Sequence, residues 1–308
     1  MLLPSGPALV VPRWQAEAIA IDATRVLVTG GWEEYNTAYA SGEIVNLGTG
    51  TSTPVSNAMS TRRTYHQMVK LGTGPNAGKI AILGGFNGPI PYGVPSWQAT
   101  SLVELFDGST NMFAAYPASM KASRGSFTAT TLADGRILIA GGYNPASSTF
   151  LATAEIFDPV AGTFTFTGSM AKARVAHTAT RLADGKVLVV GGVADAVDGA
   201  TAELYNPTTG LFEPVNGAMQ VPRHDHTAAI MADGRVAVFG GVSQDSWVRG
   251  TAEAYDPVSK TFSTLGRMAI PRRRATATVL TAGPSAGKVL LFGGGAENRV
   301  NGVAEIVP

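Results

Sequence analysis

Cysteine is absent from the 308 residues of this chain. Its absence excludes disulfide bonds, thiolate metal sites and cysteine nucleophiles, and it leaves the redox compartment undetermined. Charged residues are also scarce, at 15% of the chain, and the formal net charge is only +1. Because no global field attracts nucleic acid or an anionic membrane, we expect no nucleic acid partner and only local electrostatic functions.

Long apolar runs are missing as well. No stretch approaches the roughly 18 apolar residues that a membrane-spanning helix needs, so we predict no membrane span. The first residues, MLLPSGPALVVPR, lack a basic leader with a long apolar core, and no signal peptide is predicted from them. The compartment stays open between the cytoplasm and a periplasmic or secreted location after processing.

What the chain has in abundance is turn-forming residues, with 37 glycines and 18 prolines. Hydrophobic residues make up 45% of it, which is enough for a substantial core. No segment shows the apolar periodicity of an amphipathic helix. The composition therefore favours an all-β protein of many short strands.

A pattern of about 50 residues repeats six times along the chain. Each copy has an apolar run that ends in paired glycines, of which the first are Gly30, Gly84, Gly141, Gly191, Gly240 and Gly293. An arginine precedes each run, at Arg13, Arg63, Arg124, Arg174, Arg223 and Arg272. A glutamate follows each glycine pair, at Glu43, Glu104, Glu155, Glu203, Glu253 and Glu305. Three copies continue into an Asp-Pro or Asn-Pro turn, as in AEIFDPVAGTF.

Each copy predicts four strands: A after the arginine, B ending at the glycines, C from the glutamate, and D after the turn. A four-stranded unit that is too small to bury its own faces and is repeated six times is typical of a β-propeller. We therefore predict one domain over residues 1–308 with six blades of four antiparallel strands. In the last five copies a methionine also stands four residues before the arginine, at Met59, Met120, Met170, Met219 and Met268.

The combination of Met, Arg, Gly-Gly, Glu and a Tyr/Phe-Asp-Pro turn resembles the kelch repeat, and the resemblance covers essentially the whole chain. The first copy departs from the pattern because it lacks the Asp-Pro turn, and the sixth stops after strand C. An open edge strand is a liability that propellers remove by closure. We therefore predict that residues 1–6 form the outer strand of the sixth blade.

The loops between strands B and C are predicted to lie on the same face as the arginines. They are rich in aromatic residues, and loops on a rigid scaffold are where binding residues concentrate. We select five of these aromatic residues as candidate ligand contacts: Trp32, Tyr92, Trp97, Tyr143 and Trp247. The alternative is that some of these rings fold back and pack within the loops themselves.

The repeated arginines allow two interpretations. Six of them, one per blade, would surround one mouth of a propeller channel, and like charges about 8 Å apart repel by about 2 kcal/mol at an effective dielectric near 20. In the first interpretation the repeated glutamates neutralise them in ion pairs. In the second, several arginines hold an anionic ligand. The resemblance carries that role, which arginines at this motif position have in kelch domains that grip acidic peptides, to Arg63, Arg124, Arg174, Arg223 and Arg272.

Additional basic residues flank this position in the second, fifth and sixth copies, and they favour a positive pocket. They are Arg62, His224, Arg273 and Arg274. Three other histidines, His66, His177 and His226, share one repeat position that holds Phe127 and Ala275 in other copies, which favours packing between blades. His224 and His226 fall on one side of a strand by period-two alternation, but no third metal ligand is apparent, so we predict no metal.

Two function classes remain open at this point. The first is a binding module that recognises an acidic peptide, a glycan or a small anion at the arginine-rich, aromatic-lined face. The second is an enzyme on a small anionic substrate, resembling the sialic acid mutarotases and epimerases, in which His224, Asp225, Glu33 or Glu34 moves a proton. A copper radical oxidase of the galactose oxidase type is excluded, because its crosslinked cysteine is absent. We expect no cofactor and a monomer.

Overall fold

The computed structural model describes residues 9–32, 38–88, 97–193, 198–243, 245–296, 299–300 and 303–307. The chain forms two compact units, Met1–Thr167 and Gly168–Pro308. Each unit contains three antiparallel blades in which strands follow one another in chain order from the inner to the outer edge. The predicted all-β, six-bladed propeller fold is confirmed.

The first unit holds blades 1 to 3. Blade 1 consists of β1 (Glu17–Ala20), β2 (Arg25–Thr29), β3 (Gly42–Asn46) and β4 (Thr51–Pro54). Blade 2 consists of β5 (Gln67–Lys70), β6 (Ile80–Leu83), β7 (Val103–Asp107) and β8 (Met112–Ala115). Blade 3 consists of β9 (Thr128–Thr131), β10 (Ile137–Ala140), β13 (Ala154–Asp158) and β14 (Thr163–Phe166), with a loop hairpin of β11 (Tyr143–Asn144) and β12 (Thr149–Phe150).

The second unit holds blades 4 to 6. Blade 4 consists of β15 (Thr178–Arg181), β16 (Val187–Val190), β17 (Ala202–Asn206) and β18 (Leu211–Pro214), with a 3-10 turn at Asp198–Ala200. Blade 5 consists of β19 (Thr227–Ile230), β20 (Val236–Phe239), β21 (Thr251–Asp256) and β22 (Thr261–Arg267). Blade 6 has β23 (Thr276–Val279), β24 (Val289–Phe292) and β27 (Ala304–Val307), with a loop hairpin of β25 (Gly295–Ala296) and β26 (Arg299–Val300).

Blade 6 has three strands among the described residues, and its outermost is β27. The segment that we predict as its fourth strand, residues 1–6, lies outside the described residues, so that pairing stays a prediction. The single-domain assignment also stays a prediction. In the described ranges, no helix has the length and apolar character needed to cross a membrane.

In blades 2 and 5, which lie between two other blades of the same unit, the second strand is buried on both faces because the neighbouring blades pack against it. β6, β10, β16 and β20 are buried at every residue. The third and fourth strands add cross-strand aromatic pairs such as Phe157 and Phe164, whose ring centroids stack 4.4 Å apart. Such pairs contribute roughly 0.2–1 kcal/mol each relative to alanine pairs. Continuous burial explains why these strands read as uniform apolar runs rather than as alternating patterns.

The paired glycines join each blade to the next one in the same unit. In blade 2, the Gly85 amide donates to the Arg124 carbonyl of blade 3 at 2.9 Å. A Cβ on Gly84, whose φ is +56°, would lie 2.7 Å from that carbonyl oxygen and 2.8 Å from the Phe127 ring. Both the positive φ and the close approach therefore require glycine. The same contact recurs from Gly31 to Arg63, from Gly192 to Arg223 and from Gly241 to Arg272.

Candidate functional site

The repeated arginine and glutamate form a buried ion pair in all six blades. In blade 3 an Arg124 Nη atom lies 2.8 Å from a Glu155 carboxylate oxygen, and both side chains are fully buried. The six N–O distances run from 2.7 to 3.3 Å. Each arginine also donates to the carbonyl of the first glycine of its own blade, at 2.6 to 3.1 Å. The ion-pair interpretation of the repeat is therefore confirmed.

The glutamate of each pair also holds the turn that leads into the arginine. Glu155 accepts hydrogen bonds from the backbone amides of Lys121 and Ala122 at 2.6 and 2.9 Å. Equivalent bonds reach Glu43, Glu104, Glu203, Glu253 and Glu305. Removing one member of a buried pair leaves an uncompensated charge, so this network fixes the geometry of every blade. Arg63, Arg124, Arg174, Arg223 and Arg272 therefore belong to this network of ion pairs. We call the six arginines and the six glutamates of the network the frame.

The three histidines at the shared repeat position are buried, as expected for packing residues. The Nε2 atom of His66 lies 2.8 Å from Thr29 Oγ1 in the preceding blade, and that of His226 lies 2.9 Å from Thr178 Oγ1. Burial, together with the charge of the nearby arginine of the repeat, lowers the pKa of both imidazoles to about 3. His177 is also buried. The predicted interblade packing role is confirmed for His66 and His226, with a threonine hydroxyl as the partner rather than a carbonyl.

The residue two positions after each frame arginine adopts a left-handed backbone conformation. Its φ lies between +52° and +57° in all six blades, at Gln15, Tyr65, Ser126, Ala176, Asp225 and Arg274. Adjacent copies in one unit are joined by backbone hydrogen bonds: the Asp225 amide donates to the Ala176 carbonyl, and the Arg274 amide donates to the Asp225 carbonyl. Positive φ is uncommon for residues other than glycine, and clusters of such residues are a feature of functional sites.

In the second unit these backbone turns border a cleft of about 290 Å³. Its lining residues come from the loops of blades 4 and 5 and from the turns before β19 and β23: Gly192, Val193, Gly199, Pro222, Arg223, His224, Val242, Ser243, Ser246 and Arg273. The half-buried Arg273 has no side-chain hydrogen bond or ion-pair partner in the described part of the chain. An unpaired guanidinium at the wall of a cleft is a site for a carboxylate.

Asp225 stands beside this cleft and is held by two basic neighbours. Arg274 contacts it with two nitrogens, Nε to Oδ1 and Nη2 to Oδ2, both at 2.9 Å. His224 Nδ1 lies 3.4 Å from Oδ2. Burial alone would raise the pKa of the Asp225 carboxyl, but the His224 hydrogen bond and the Arg274 charge outweigh burial and lower that pKa to about 2. Asp225 is therefore a carboxylate at any physiological pH.

His224 and His226 do not lie on one side of a strand, so the period-two alternation predicted for them is wrong. Asp225 has a φ of +53° between them, which breaks the period-two alternation. His224 lines the cleft, whereas His226 is buried against Thr178. Within the described ranges, no group of three His, Asp or Glu side chains could hold a metal ion.

The loop side of the first unit has a different character, because aromatic rings lie against one another there. Trp97 contacts Phe86 and Tyr65, with centroid distances of 5.1 and 6.1 Å. Tyr143 contacts Phe86 at 6.4 Å and Phe150 at 5.2 Å. Phe86 is buried and the other four rings are partly exposed. These loop aromatics pack on one another while keeping part of their faces in solvent.

The remaining aromatic candidates are dispersed. Trp32 contacts Trp14 at 6.4 Å, and its Nε1 donates to Gln15 Oε1 at 3.0 Å. Trp247 is 61% exposed on the blade 5 loop, next to Ser246 of the cleft. Tyr92 lies outside the described residues. The structure therefore brings His224, Arg273 and Arg274 together in the second unit, and Trp97 and Tyr143 together in the first.

Sequence reasoning missed two residues that belong to these groups. Tyr65 was overlooked because it stands in the turn after Arg63 rather than in a loop between strands B and C. Asp225 was considered only as a possible acid or base, and its bidentate contact with Arg274 was not foreseen. Both occupy the left-handed position, which holds a different residue in each of the six copies. The sequence signal for these two residues is that the position two residues after each repeated arginine varies while the surrounding repeat does not.

Comparison with known proteins agrees with this architecture. A model of the Kelch motif matches residues 124–171, which span the Arg124–Glu155 pair, the four strands of blade 3 and the turn that follows them. The match covers one repeat of the chain. The other five repeats have the same buried ion pair and the same glycine pair. No curated protein matches the chain.

Proposed function

Because the chain is a kelch-repeat β-propeller, we propose that it is a binding scaffold and that the cleft of its second unit holds a carboxylate of an acidic partner. A single observation carries the proposal: the Arg273 guanidinium stands in the cleft wall without a partner among the described residues. A charge-assisted hydrogen bond to such a group contributes about 1.5–3 kcal/mol. Acidic peptides are the favoured partners, and glycans and small acids carry the same carboxylate chemistry.

The surroundings of Arg273 support this choice. His224 adds a second nitrogen donor or acceptor to the wall, and Ser246 is a further polar residue of the lining. The Ser243 hydroxyl donates to the Pro222 carbonyl at 2.9 Å and accepts from Arg249 Nε at 2.6 Å, which fixes the rim. The exposed Trp247 ring offers an apolar face to the part of the ligand beyond the carboxylate.

The frame arginines have an indirect part in the proposal. Arg223 and Arg272 are 1% exposed and are paired with Glu253 and Glu305, so they position the turns that carry His224 and Arg273. We propose that Arg63, Arg124 and Arg174 likewise position the turns that follow them in their own blades. Trp32, Trp97 and Tyr143 stay proposed contact residues on the loop side of the first unit, where their chemistry suits an apolar or ring-shaped group.

The test is calorimetric titration of the protein with a capped hexaglutamate peptide, with capped hexaglutamine as the uncharged control. We expect hexaglutamate to bind, the affinity to fall with added salt, and Arg273→Ala to weaken binding at least tenfold. Arg181→Ala removes an exposed arginine of the same unit from β15 and serves as the matched control. Equal affinities for the two variants, or equal binding of the two peptides, would refute the proposal.

The enzymatic alternative rests on the contact between His224 and Asp225. A carboxylate that orients an imidazole at a cleft wall is an arrangement suited to proton transfer. In this alternative the cleft binds a small sugar acid and His224 moves a proton, as in a mutarotase or epimerase. Anomer exchange of a sugar acid, followed by nuclear magnetic resonance, should then be faster with the protein and slower again with His224→Gln. Exchange at the uncatalysed rate would remove the alternative.

A further inference from the structure

We propose that Asp225 is an internal competitor for the ligand carboxylate, and that it limits the cleft to one carboxylate, bound at Arg273, so that any further carboxylates of an acidic partner stay outside the cleft. This inference rests on the proposed function, because it concerns the selectivity of the same cleft. Its basis is the geometry of four neighbouring side chains: Arg273, Arg274, Asp225 and His224.

The contact between Arg274 and Asp225 has the form in which an arginine binds a carboxylate ligand. Both nitrogens on one edge of the guanidinium bond to both carboxylate oxygens at 2.9 Å. This bidentate arrangement is the strongest that arginine offers. Arg274 is 37% exposed and Asp225 only 8%, so the pair lies at the surface with its acidic member underneath. A partner carboxylate would have to displace Asp225 in order to use Arg274.

The charges of the cluster then leave one positive charge for the ligand. Asp225 balances Arg274, and Arg273 has no partner in the described ranges. A ligand with one charged group finds one free guanidinium. A second negative charge in the cleft finds no further free cation among the described lining residues, because Asp225 already neutralises Arg274. The cluster therefore distinguishes ligands by charge as well as by shape.

Backbone hydrogen bonds hold Asp225 in place in addition to its side-chain contacts. A substitution can therefore change its side chain without releasing the backbone. Its amide donates to the Ala176 carbonyl and its carbonyl accepts from the Arg274 amide. Its φ of +53° suits asparagine as well as aspartate, because both residues tolerate the left-handed region. Asp225→Asn therefore removes the charge while keeping the backbone and most of the side-chain volume.

The experiment compares butyrate and succinate, which have the same carbon chain but carry one and two carboxylates. Dissociation constants are measured by nuclear magnetic resonance titration at low salt. Removing a negative charge about 8 Å from the ligand at an effective dielectric near 40 strengthens a monoanion about fivefold and a dianion about 25-fold. We expect Asp225→Asn to shift the butyrate-to-succinate ratio of dissociation constants by about fivefold in favour of succinate.

Two further variants complete the design. Asp233→Asn removes an exposed carboxylate from the same unit, where it pairs with Arg235 at 2.7 Å beyond the end of β19, and should leave the ratio unchanged. Arg274→Ala exposes the charge of Asp225 and should shift the ratio the opposite way, so it decides the question even if Asp225→Asn fails to fold. The double variant Asp225→Asn, Arg274→Ala should have the same butyrate-to-succinate ratio of dissociation constants as the unmodified protein. If Arg274 contacted the ligand directly, the double variant would instead bind the ligand more weakly than the unmodified protein does.

The outcomes separate the two proposals. If the protein binds butyrate through Arg273 but Asp225→Asn leaves the ratio unchanged, the competitor role is wrong and the binding site stands. If neither acid binds, or if Arg273→Ala changes nothing, both proposals are overturned. An equal shift for Asp225→Asn and Asp233→Asn would reduce the effect to general surface charge and would also overturn the competitor role.

Discussion

Arg272 and Arg273 are neighbours in the chain, yet they belong to two different regions of the second unit. Arg272 is 1% exposed, and its side chain bonds to Glu305 and to three backbone carbonyls. Arg273 is half-buried in a cleft wall, and its side chain has no partner in the described part of the chain. The first belongs to a repeated frame and the second to a surface that differs from blade to blade.

The two arginines illustrate a division between scaffold and site that holds across the repeat. Residues that recur in every copy, such as the arginine, the glutamate and the glycine pair, have their polar groups bonded inside the blades. The position two residues after the arginine has the same backbone in every copy but a different side chain. We therefore expect binding residues at positions where the backbone conformation is the same in every copy and the side chain differs.

The largest effect is expected at the buried ion pair. Arg124→Ala leaves Glu155 charged, buried and without its guanidinium partner, so the free energy of unfolding should fall by about 3–5 kcal/mol. Urea denaturation monitored by circular dichroism measures it. Arg62→Ala, an exposed arginine in the turn before blade 2, should change stability by less than about 0.5 kcal/mol. Similar losses for both variants would contradict the division.

The second largest loss of unfolding free energy is expected at the glycine pair. Gly84→Ala combines a φ of +56° with a Cβ placed 2.7 Å from the Arg124 carbonyl oxygen, and it should cost about 2–3 kcal/mol. Gly72→Ala is the matched control in the same blade, because its Cβ meets nothing within 4 Å. That control should be neutral or slightly stabilising. The melting temperatures of the two variants give the comparison, and an equal decrease in both would be evidence against a structural need for the glycine pair.

The buried histidines make part of the stability depend on pH. His66 has a pKa of about 3 in the folded protein and near 6.5 when unfolded, so between these values the unfolded chain binds more protons. Stability should therefore fall as pH drops below about 6.5, by about 2 kcal/mol at pH 5 for this residue.

The variant that isolates this contribution is His66→Phe, which introduces the residue that blade 3 has at the same position, Phe127. The pH dependence of its unfolding free energy should be flatter than that of the unmodified protein between pH 7.5 and 5. Glu17, whose pKa is raised to about 7 by burial, contributes with the opposite sign in both proteins and cancels in the difference. Parallel pH profiles would show that His66 is not buried in its neutral form.

The smallest effect is expected at the variable position itself. Ala176 has a φ of +54°, which costs an L-residue roughly 1–2 kcal/mol, while glycine costs up to about 1 kcal/mol in chain entropy. Ala176→Gly should therefore stabilise the protein by about 0.5 kcal/mol, measured as a shift of the urea midpoint. A loss of stability above about 1 kcal/mol would indicate that the alanine side chain belongs to the frame.

Much of this architecture could be predicted from the sequence, because the repeat reports buried interactions that every blade needs. The apolar runs, the glycine pairs and the turn at Asp158 predicted strands and turns that the structure has in the same places. The Arg–Glu pairing followed from equal numbers of each and from their shared position in the blade. These features depend on contacts within a blade or between adjacent blades, so local spacing encodes them.

The candidate site could be predicted only in part. His224, Arg273 and Arg274 were identified because they add positive charge beside the repeat; in the structure His224 and Arg273 line one cleft, and Arg274 pairs with Asp225. The Asp225–Arg274 contact joins residues 49 positions apart, in neighbouring blades, and spacing alone does not report such a pair. The alternation expected for His224 and His226 was wrong because the left-handed residue between them has no signature in a single copy.

The most direct test of the account compares Arg272→Ala with Arg273→Ala, which make the same chemical change at adjacent positions. Each variant is assayed for urea stability and for hexaglutamate affinity by calorimetry at a temperature where both are folded. We predict that Arg272→Ala loses about 3–5 kcal/mol of stability, whereas Arg273→Ala keeps its stability and loses at least tenfold in affinity. If Arg273→Ala binds hexaglutamate as well as the unmodified protein does, the division between frame and site is contradicted.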